Sequence, residues 1–372
     1  MNQARVRSLS ELLVLADVVV PTADSNLARP GMRPGLVLLL GLCLVLAALL
    51  IGIASGAYAI EPRRLLILLW QSVAGSEPAG PEQLVLLHIR LPRLLLGVAA
   101  GAGLGLAGAL MQALFRNPLA DPGLIGVSSG AALFAGLAIV LGAAWAPFLP
   151  RALGSWLLVL MAFGGGLLTT ALVYGLGRGR EGANMGLMLL AGIAINALAG
   201  AGLGFLSFVS TDEQLRNLQM WLLGSLGAAR WSAVVLVGAA VAVCLCAGQA
   251  LARPLNAIAL GEAQARLLGV AVERCKRRAV LIAALAVGAV TAATGIIGFI
   301  GLVAPHWVRL VAGPDHRVVL PGSALLGAAL VVVADAMART LVSPAELPLG
   351  VLTAFVGVPL FLLMLRQFGN RV

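Results

Sequence analysis

Charge is scarce in this sequence. Only 11% of its 372 residues are Asp, Glu, Lys or Arg, less than half the roughly 25% of an ordinary water-soluble domain. A soluble enzyme is excluded on that ground. Acidic residues number 15 and histidines three, and no chain of them crosses an apolar run as a proton relay requires, which disfavours a proton-driven carrier. A secondary carrier using Na⁺ sites made of carbonyls and hydroxyls would leave no such trace. Lysine occurs once, as Lys276, inside Glu273-Arg274-Cys275-Lys276-Arg277-Arg278 with no glycine before it. The phosphate-cradling pattern G-x-x-x-x-G-K-[ST] is therefore absent, and an ATP-driven motor has to be a separate polypeptide. Of the four cysteines, Cys244 and Cys246 point in different directions on a helix and offer no disulfide or metal pair.

Apolar residues are abundant, at 60% of the chain, together with 46 glycines; the mean hydropathy is +1.02. Length therefore measures membrane crossings, at about 20 residues each. Ten long apolar runs stand out, at 35–57, 93–114, 123–142, 152–176, 187–209, 232–251, 279–296, 298–312, 319–340 and 348–366. They are continuous and lack the in/out alternation of a barrel strand, so the expected class is an all-α integral membrane protein with about ten transmembrane helices. The seventh and eighth runs are short and divided only by Gly295-Ile296-Ile297-Gly298.

Residues 1–34 do not read as a cleavable signal, because Glu11 and Asp17 interrupt the apolar stretch and Pro21 ends it. They read as a cytoplasmic extension, with a surface-lying helix at 9–20 or no fixed structure, ahead of a membrane domain at 35–368. With ten spans, about two-thirds of the basic residues fall on the side that holds both termini. The positive-inside rule makes that side cytoplasmic. An excess of arginine in such loops needs no nucleic-acid partner.

Within the second run, Gly97, Gly101 and Gly105 repeat at i, i+4 and i+8, with Gly103 and Gly108 nearby, a spacing that lets helix backbones approach in lipid. Asp335 and Arg339, at i and i+4 in the ninth run, are the exception to its chargeless interior. A central charge costs about 2.5–3.5 kcal/mol on insertion scales, so they pair, lie near an end or face water. Residues 251–278 are too polar to span and read as two short helices, Leu255 to Leu260 and Glu262 to Leu268, hinged at Gly261 and ended by Gly269. Glu262 and Arg266, one turn apart, support the second.

Gly126-Val127-Ser128-Ser129-Gly130 matches G-x-S-x-G, the pattern of a nucleophile elbow, which needs a strand before it and a helix after it. An intramembrane serine protease with Ser128 as nucleophile and His306 as base is a remote alternative. The stretch opens an apolar helix instead, and His306 after Pro305 reads as a helix-end residue. His88 and His316 lie in loops with no ligand spacing to it.

Several stretches stand in a fixed order and spacing. They are Arg90-Leu91-Pro92-Arg93, then Met111-Gln112-Ala113-Leu114-Phe115-Arg116-Asn117-Pro118-Leu119-Ala120-Asp121-Pro122 running into Gly126-Val127-Ser128-Ser129-Gly130. They continue with Leu260-Gly261-Glu262-Ala263 through Leu268-Gly269, Gly298-Phe299-Ile300-Gly301-Leu302-Val303-Ala304-Pro305-His306, Asp315-His316-Arg317, and Glu346-Leu347-Pro348-Leu349-Gly350-Val351-Leu352-Thr353. Together they resemble FecCD-type permease subunits of ABC importers, the class that carries ferric siderophores, haem or vitamin B12; the resemblance spans 35–368 and implies the type II importer architecture. It implies a homodimer in the bacterial inner membrane, two ATPase subunits carrying ATP-Mg beneath it, and a periplasmic binding protein above. This chain itself would hold no cofactor and perform no catalysis.

By the same resemblance, Leu255, Leu260, Gly261, Glu262, Ala263, Arg266, Leu268 and Gly269 form the coupling helices that meet the ATPases. Arg90, Arg93 and Arg339 receive glutamates of the binding protein, a task that suits the bidentate guanidinium fork. The plainer role for these arginines is contact with lipid phosphate and an Asp335–Arg339 pair. The passage would run at the dimer interface along the fifth span, with Asn196, Phe205 and Phe208 on its path. A greasy wall of Gly, Ala, Leu and Phe suits a bulky cargo that must slide without being held. The Ala120–Gly130 stretch resembles haem permeases more than siderophore ones, so haem is the expected cargo, with ferric siderophore and cobalamin as alternatives.

Overall fold

The computed structural model describes residues 32–55, 67, 80–148, 150, 154, 156–179, 182–342 and 345–369. The expected surface helix at 9–20 lies outside them. Among the described residues nine helices are long and apolar enough to cross a membrane. These are α1 (Pro34–Ala54), α2 (Pro81–Phe115), α3 (Val127–Trp145), α4 (Leu157–Leu176), α5 (Met185–Val209), α7 (Trp231–Ala250), α10 (Val272–Thr294), α12 (His316–Thr340) and α13 (Leu349–Gly369). Between them stand α6 (Asp212–Leu222), α8 (Ala252–Ala259), α9 (Glu262–Leu267) and the 13-residue apolar α11 (Ile300–Ala312). A two-residue hairpin, β1 (Arg178–Gly179) with β2 (Gly182–Ala183), joins α4 to α5.

The short α11 still completes a tenth crossing. Thirteen residues rise only about 20 Å at 1.5 Å each, less than the roughly 30 Å of hydrocarbon. The chain first runs through the non-helical stretch 295–299, where Gly295 (φ 71°) and Phe299 (φ 67°) turn it off one helix and onto the next. At the start of that stretch Ser225 N donates to Thr294 O (2.8 Å), beside the pairing of Leu349 N with Gly224 O (2.9 Å). At the other end Met32 N donates to Val311 O (3.1 Å). Residues 295–312 thus pass from one end of the bundle to the other, and α1 begins at the end where α13 finishes. The ends are called the near end (residues 32, 116, 183, 256–276 and 315) and the far end (55, 90, 225, 340 and 346).

α2 is the axis of the fold and is buried almost throughout from Pro92 onward. Its glycines explain how. A Cβ on Gly101 would strike the Gly327 carbonyl, one on Gly105 the Ser323 carbonyl, and one on Gly108 the backbone of Gly301. Helices α12 and α11 therefore lie against α2 backbone to backbone, which gives van der Waals contact where lipid supplies no hydrophobic drive. Around this centre pack Leu96, Leu106, Leu110, Met111, Val287 and Leu320, all at most 1% exposed.

The structure moves several expected boundaries. The second run begins at Pro81, not 93, because Leu86–Arg90 forms a π-turn in which Leu91 N reaches Leu86 O. Pro92 offers no N–H to the preceding turn, and the wider turn absorbs that gap. Arg90 and Arg93 therefore sit inside one continuous helix. The third run is preceded by a 3₁₀ turn, Pro122–Ile125, capped by Asp121 accepting from Gly123 N (2.7 Å). The seventh begins at Val272, so the Glu273–Arg278 run forms its first turns. His88 and His316 lie in helices rather than loops. α6 was not expected; a capping box starts it, with Gln214 N donating to Thr211 Oγ1 (3.3 Å) and Thr211 N to Gln214 Oε1 (3.0 Å).

Candidate functional site: two docking ends and the helix between them

At the near end, α8 and α9 form an L around Gly261, whose φ of 128° only glycine adopts without strain. One side of the L is anchored: Leu255 and Ile258 are 1% exposed and Ala265 is fully buried. The other side carries Leu260, Ala263, Leu267 and Leu268 outward, with Leu267 89% exposed. The expected coupling residues thus divide. Leu255 supports the pad from beneath, Leu260, Ala263 and Leu268 form its surface, and Gly269 (φ 79°) ends it. Leu267 belongs to the surface and escaped the sequence reading.

Glu262 and Lys276 brace the pad. The buried Lys276 ammonium donates to Ala183 O (2.9 Å) and pairs with Glu262 (2.9 Å) and Glu273 (3.3 Å). The expected Glu262–Arg266 pair forms at 3.6 Å, and Arg116 approaches Glu262 at 4.0 Å. Asn256 then ties α8 to the start of α12. Its Nδ2 donates to Asp315 Oδ1 (2.7 Å), and its Oδ1 accepts from His316 N (2.9 Å) and meets His316 Nδ1 (2.7 Å). Burial would raise the Asp315 carboxyl, but hydrogen bonds from Arg317 N and Asn256, with the Arg317 charge, hold it below the usual carboxylate range.

At the far end the three arginines of the expected docking set come together, and all are buried. Arg93 grips two carboxylates at once: Asp335 through Nε (3.0 Å) and Nη2 (2.9 Å), and Glu346 through both Nη atoms (2.9 Å each). Arg339 pairs with Asp335 (3.1 Å) and caps the end of α1 by donating to Ser55 O (2.8 Å) and Gly52 O (3.2 Å). Arg90 donates to Ile53 O (2.6 Å). These side chains lock α1, α2, α12 and the 345–348 segment together. The Arg93 hydrogen bond holds Glu346 below its ordinary carboxyl value against partial burial. Glu346 could not be found from spacing, since it lies 253 positions from Arg93.

Between the ends, α5 is the least enclosed of the inner spans, with only Met188, Gly192, Ala199 and Leu206 buried. Phe205 and Phe208, 65% and 87% exposed, stand on its open side. Asn196 does not join them. At about 100° per residue it lies opposite Phe205, where it accepts from Ser129 Oγ (2.5 Å) and donates to Gly123 O (3.3 Å). It fixes α5 to the Asp121–Ser129 turn. That turn is no nucleophile elbow. Gly126 (φ 80°) ends the 3₁₀ turn and α3 follows directly, and the described strands are the two-residue β1 and β2. The Ser128–His306 reading is set aside on that ground.

A bundle of nine long apolar helices and one shorter one, with its buried ion pairs gathered at the two ends, defines a multi-pass membrane protein. Comparison with known proteins narrows this. The chain belongs to the FecCD transport family, whose sequence profile matches residues 43–367. It is 49% identical to a hemin transport system permease protein of Yersinia pestis over 77% of this chain and 84% of that one. It is 39% identical to a vitamin B12 import system permease of Escherichia coli over 93% and 99%. A cobalamin import system permease of Halobacterium salinarum is 41% identical over 77% and 74%. Among solved structures, an inward-facing metal-chelate type ABC transporter superposes with a TM-score of 0.77 at 30% identity, covering 90% of this chain and 99% of that one. The chain is thus an ABC importer permease that works with separate ATPase and substrate-binding partners.

Proposed function

We propose that this chain carries haem across the bacterial inner membrane as a homodimer, with both termini and the near end in the cytoplasm. The observation that carries the cargo is the 49% identity to a hemin permease. Ferric siderophore is the weaker alternative, and cobalamin is favoured over it by the 41% and 39% relatives. Two ATPase subunits, holding ATP-Mg, dock on the Leu260–Ala263–Leu267–Leu268 pad. The periplasmic binding protein docks at the far end over Arg90, Arg93 and Arg339. Because Arg93 already holds Glu346, an incoming carboxylate from the binding protein competes for an occupied fork. The open face of α5, with Phe205 and Phe208, meets its counterpart in the second copy and lines the passage. A wall of alkyl and phenyl groups offers a large porphyrin contact without directional bonds, so the cargo is released once the passage opens.

The test is uptake into proteoliposomes holding the permease and its ATPase, with haem, cobalamin and a ferric siderophore each supplied on its binding protein. Haem uptake that needs ATP and exceeds the other two is expected. Cobalamin uptake in excess of haem would overturn the cargo, and uptake without the ATPase would overturn the mechanism.

A further inference from the structure

We infer that the near-end half of the bundle holds a specific anionic phospholipid, one acyl chain lying in a groove between α1, α7 and α12 and its phosphate at Arg317. The groove has a volume of about 860 Å³ and walls almost wholly of hydrocarbon. It exists because α1 closes on its neighbours unevenly. Toward the far end Gly52 lets α1 press onto Leu94 and Val332. Toward the near end Gly41 still brings α1 onto Leu325 of α12, but Leu38 of α1 and Leu245 of α7 form separate walls, over a floor of Ala102, Ala324 and Ala328 whose small side chains leave depth.

Its length and its polarity select the occupant. From Arg317 to Ala328 along α12 is about 16 Å at 1.5 Å per residue, close to half of a ~30 Å hydrocarbon core. The groove therefore spans one leaflet, running from the interface to the bilayer centre. Its polar residues, Gln249 and Arg317, both sit at the near-end mouth, where Gln249 Nε2 donates to Arg317 O (3.1 Å) and the exposed Arg317 guanidinium reaches solvent. A cation at headgroup depth above a single-chain slot is the arrangement that recognises an anionic lipid between spans. Arg317 is the one cation among the lining residues, and an apolar slot with a single cation at its mouth matches a hydrocarbon chain carrying an anionic head.

Cys246 on the groove wall is exposed and reports occupancy. The experiment uses the purified full-length chain in the Cys43→Ser background, delipidated in neutral detergent, with a maleimide as thiol probe. Phosphatidylglycerol is expected to slow Cys246 labelling and phosphatidylcholine of the same chains to do so about fivefold less well, the discrimination one interfacial arginine provides. Arg317→Gln, an exposed position, should erase that preference while leaving thermal stability unchanged. Native mass spectrometry should show the same ranking of retained lipid. Equal protection by both lipids overturns the headgroup assignment. A preference that survives Arg317→Gln places the phosphate elsewhere, and protection by inorganic phosphate alone would show that no acyl chain is needed; either result sinks the proposal.

Discussion

Helices α2 and α5 are near twins in composition and opposites in use. Both are long, apolar and rich in glycine. Yet α2 is buried over most of its length from Pro92 onward, whereas α5 is mostly not. The glycines tell them apart. Those at 101, 105 and 108 of α2 meet a neighbour's backbone; in α5 only Gly192 does, against Leu124, while Gly200 and Gly204 toward the far end meet nothing within 4 Å. A small residue in a membrane helix thus either fills a contact inside the chain or keeps one available outside it, and composition does not say which. The same division separates the two ends: the arginines of the far end are bound internally, and the leucines of the near end are left bare.

The largest effect should come from forcing the glycines. Gly101→Leu drives a side chain into the α12 backbone and should cost about 3 kcal/mol or more, read as loss of folded protein on size-exclusion in detergent. Gly204→Leu should leave monomer stability within about 0.5 kcal/mol and instead change the dimer fraction by light scattering. If both variants melt alike, the contrast between the two helices is wrong. Next comes Arg93→Ala, which leaves buried Asp335 with Arg339 alone and Glu346 with no partner from Arg93. A penalty of about 3–5 kcal/mol is typical of breaking a buried pair, and a fall in thermal midpoint would register it. An unchanged midpoint would mean that the fork is free to serve a partner.

Leu267→Asp should be milder for the fold and specific for assembly. Association with the ATPase, followed by co-purification or surface plasmon resonance, should weaken at least about tenfold, or ~1.4 kcal/mol, with no change in melting. The smallest effect is acid sensitivity from Glu346. Its carboxyl is held low in the folded chain, so its contribution is fully present above the unfolded carboxyl value near 4.3 and is lost as pH falls through the lower folded value. Melting should be flat from pH 6 to 8 with respect to this group, and Glu346→Gln should flatten only the slope below about pH 4.

What was legible in the sequence follows from the range of the physics. Apolar runs are local, so ten crossings could be read, including the divided pair at 279–312. The hinge at Gly261 is local too: α9 ends within one residue of its expected limit, and α8 starts three residues earlier than expected, at Ala252. The Thr211-x-x-Gln214 signal for α6 is also local, but it stands in the short link between two long apolar runs, whose stronger pattern masks it. Arg93 with Asp335 and Glu346, and Lys276 with Ala183, pair across 242, 253 and 93 positions, and no periodicity reports such contacts. Asn196 shows the opposite failure: its helix was found, but the side it faces depended on a turn that reads only as loop.

Asn256 carries a mechanical implication. By fastening the L to the first residues of α12, it makes that helix a strut of about 37 Å for its 25 residues, whose opposite tip holds Asp335 and Arg339. A thrust delivered to the bare leucines would therefore have a directly bonded route to the arginine cluster, and because α12 lies backbone to backbone on α2 at Gly101 and Gly105, it would carry that axis with it.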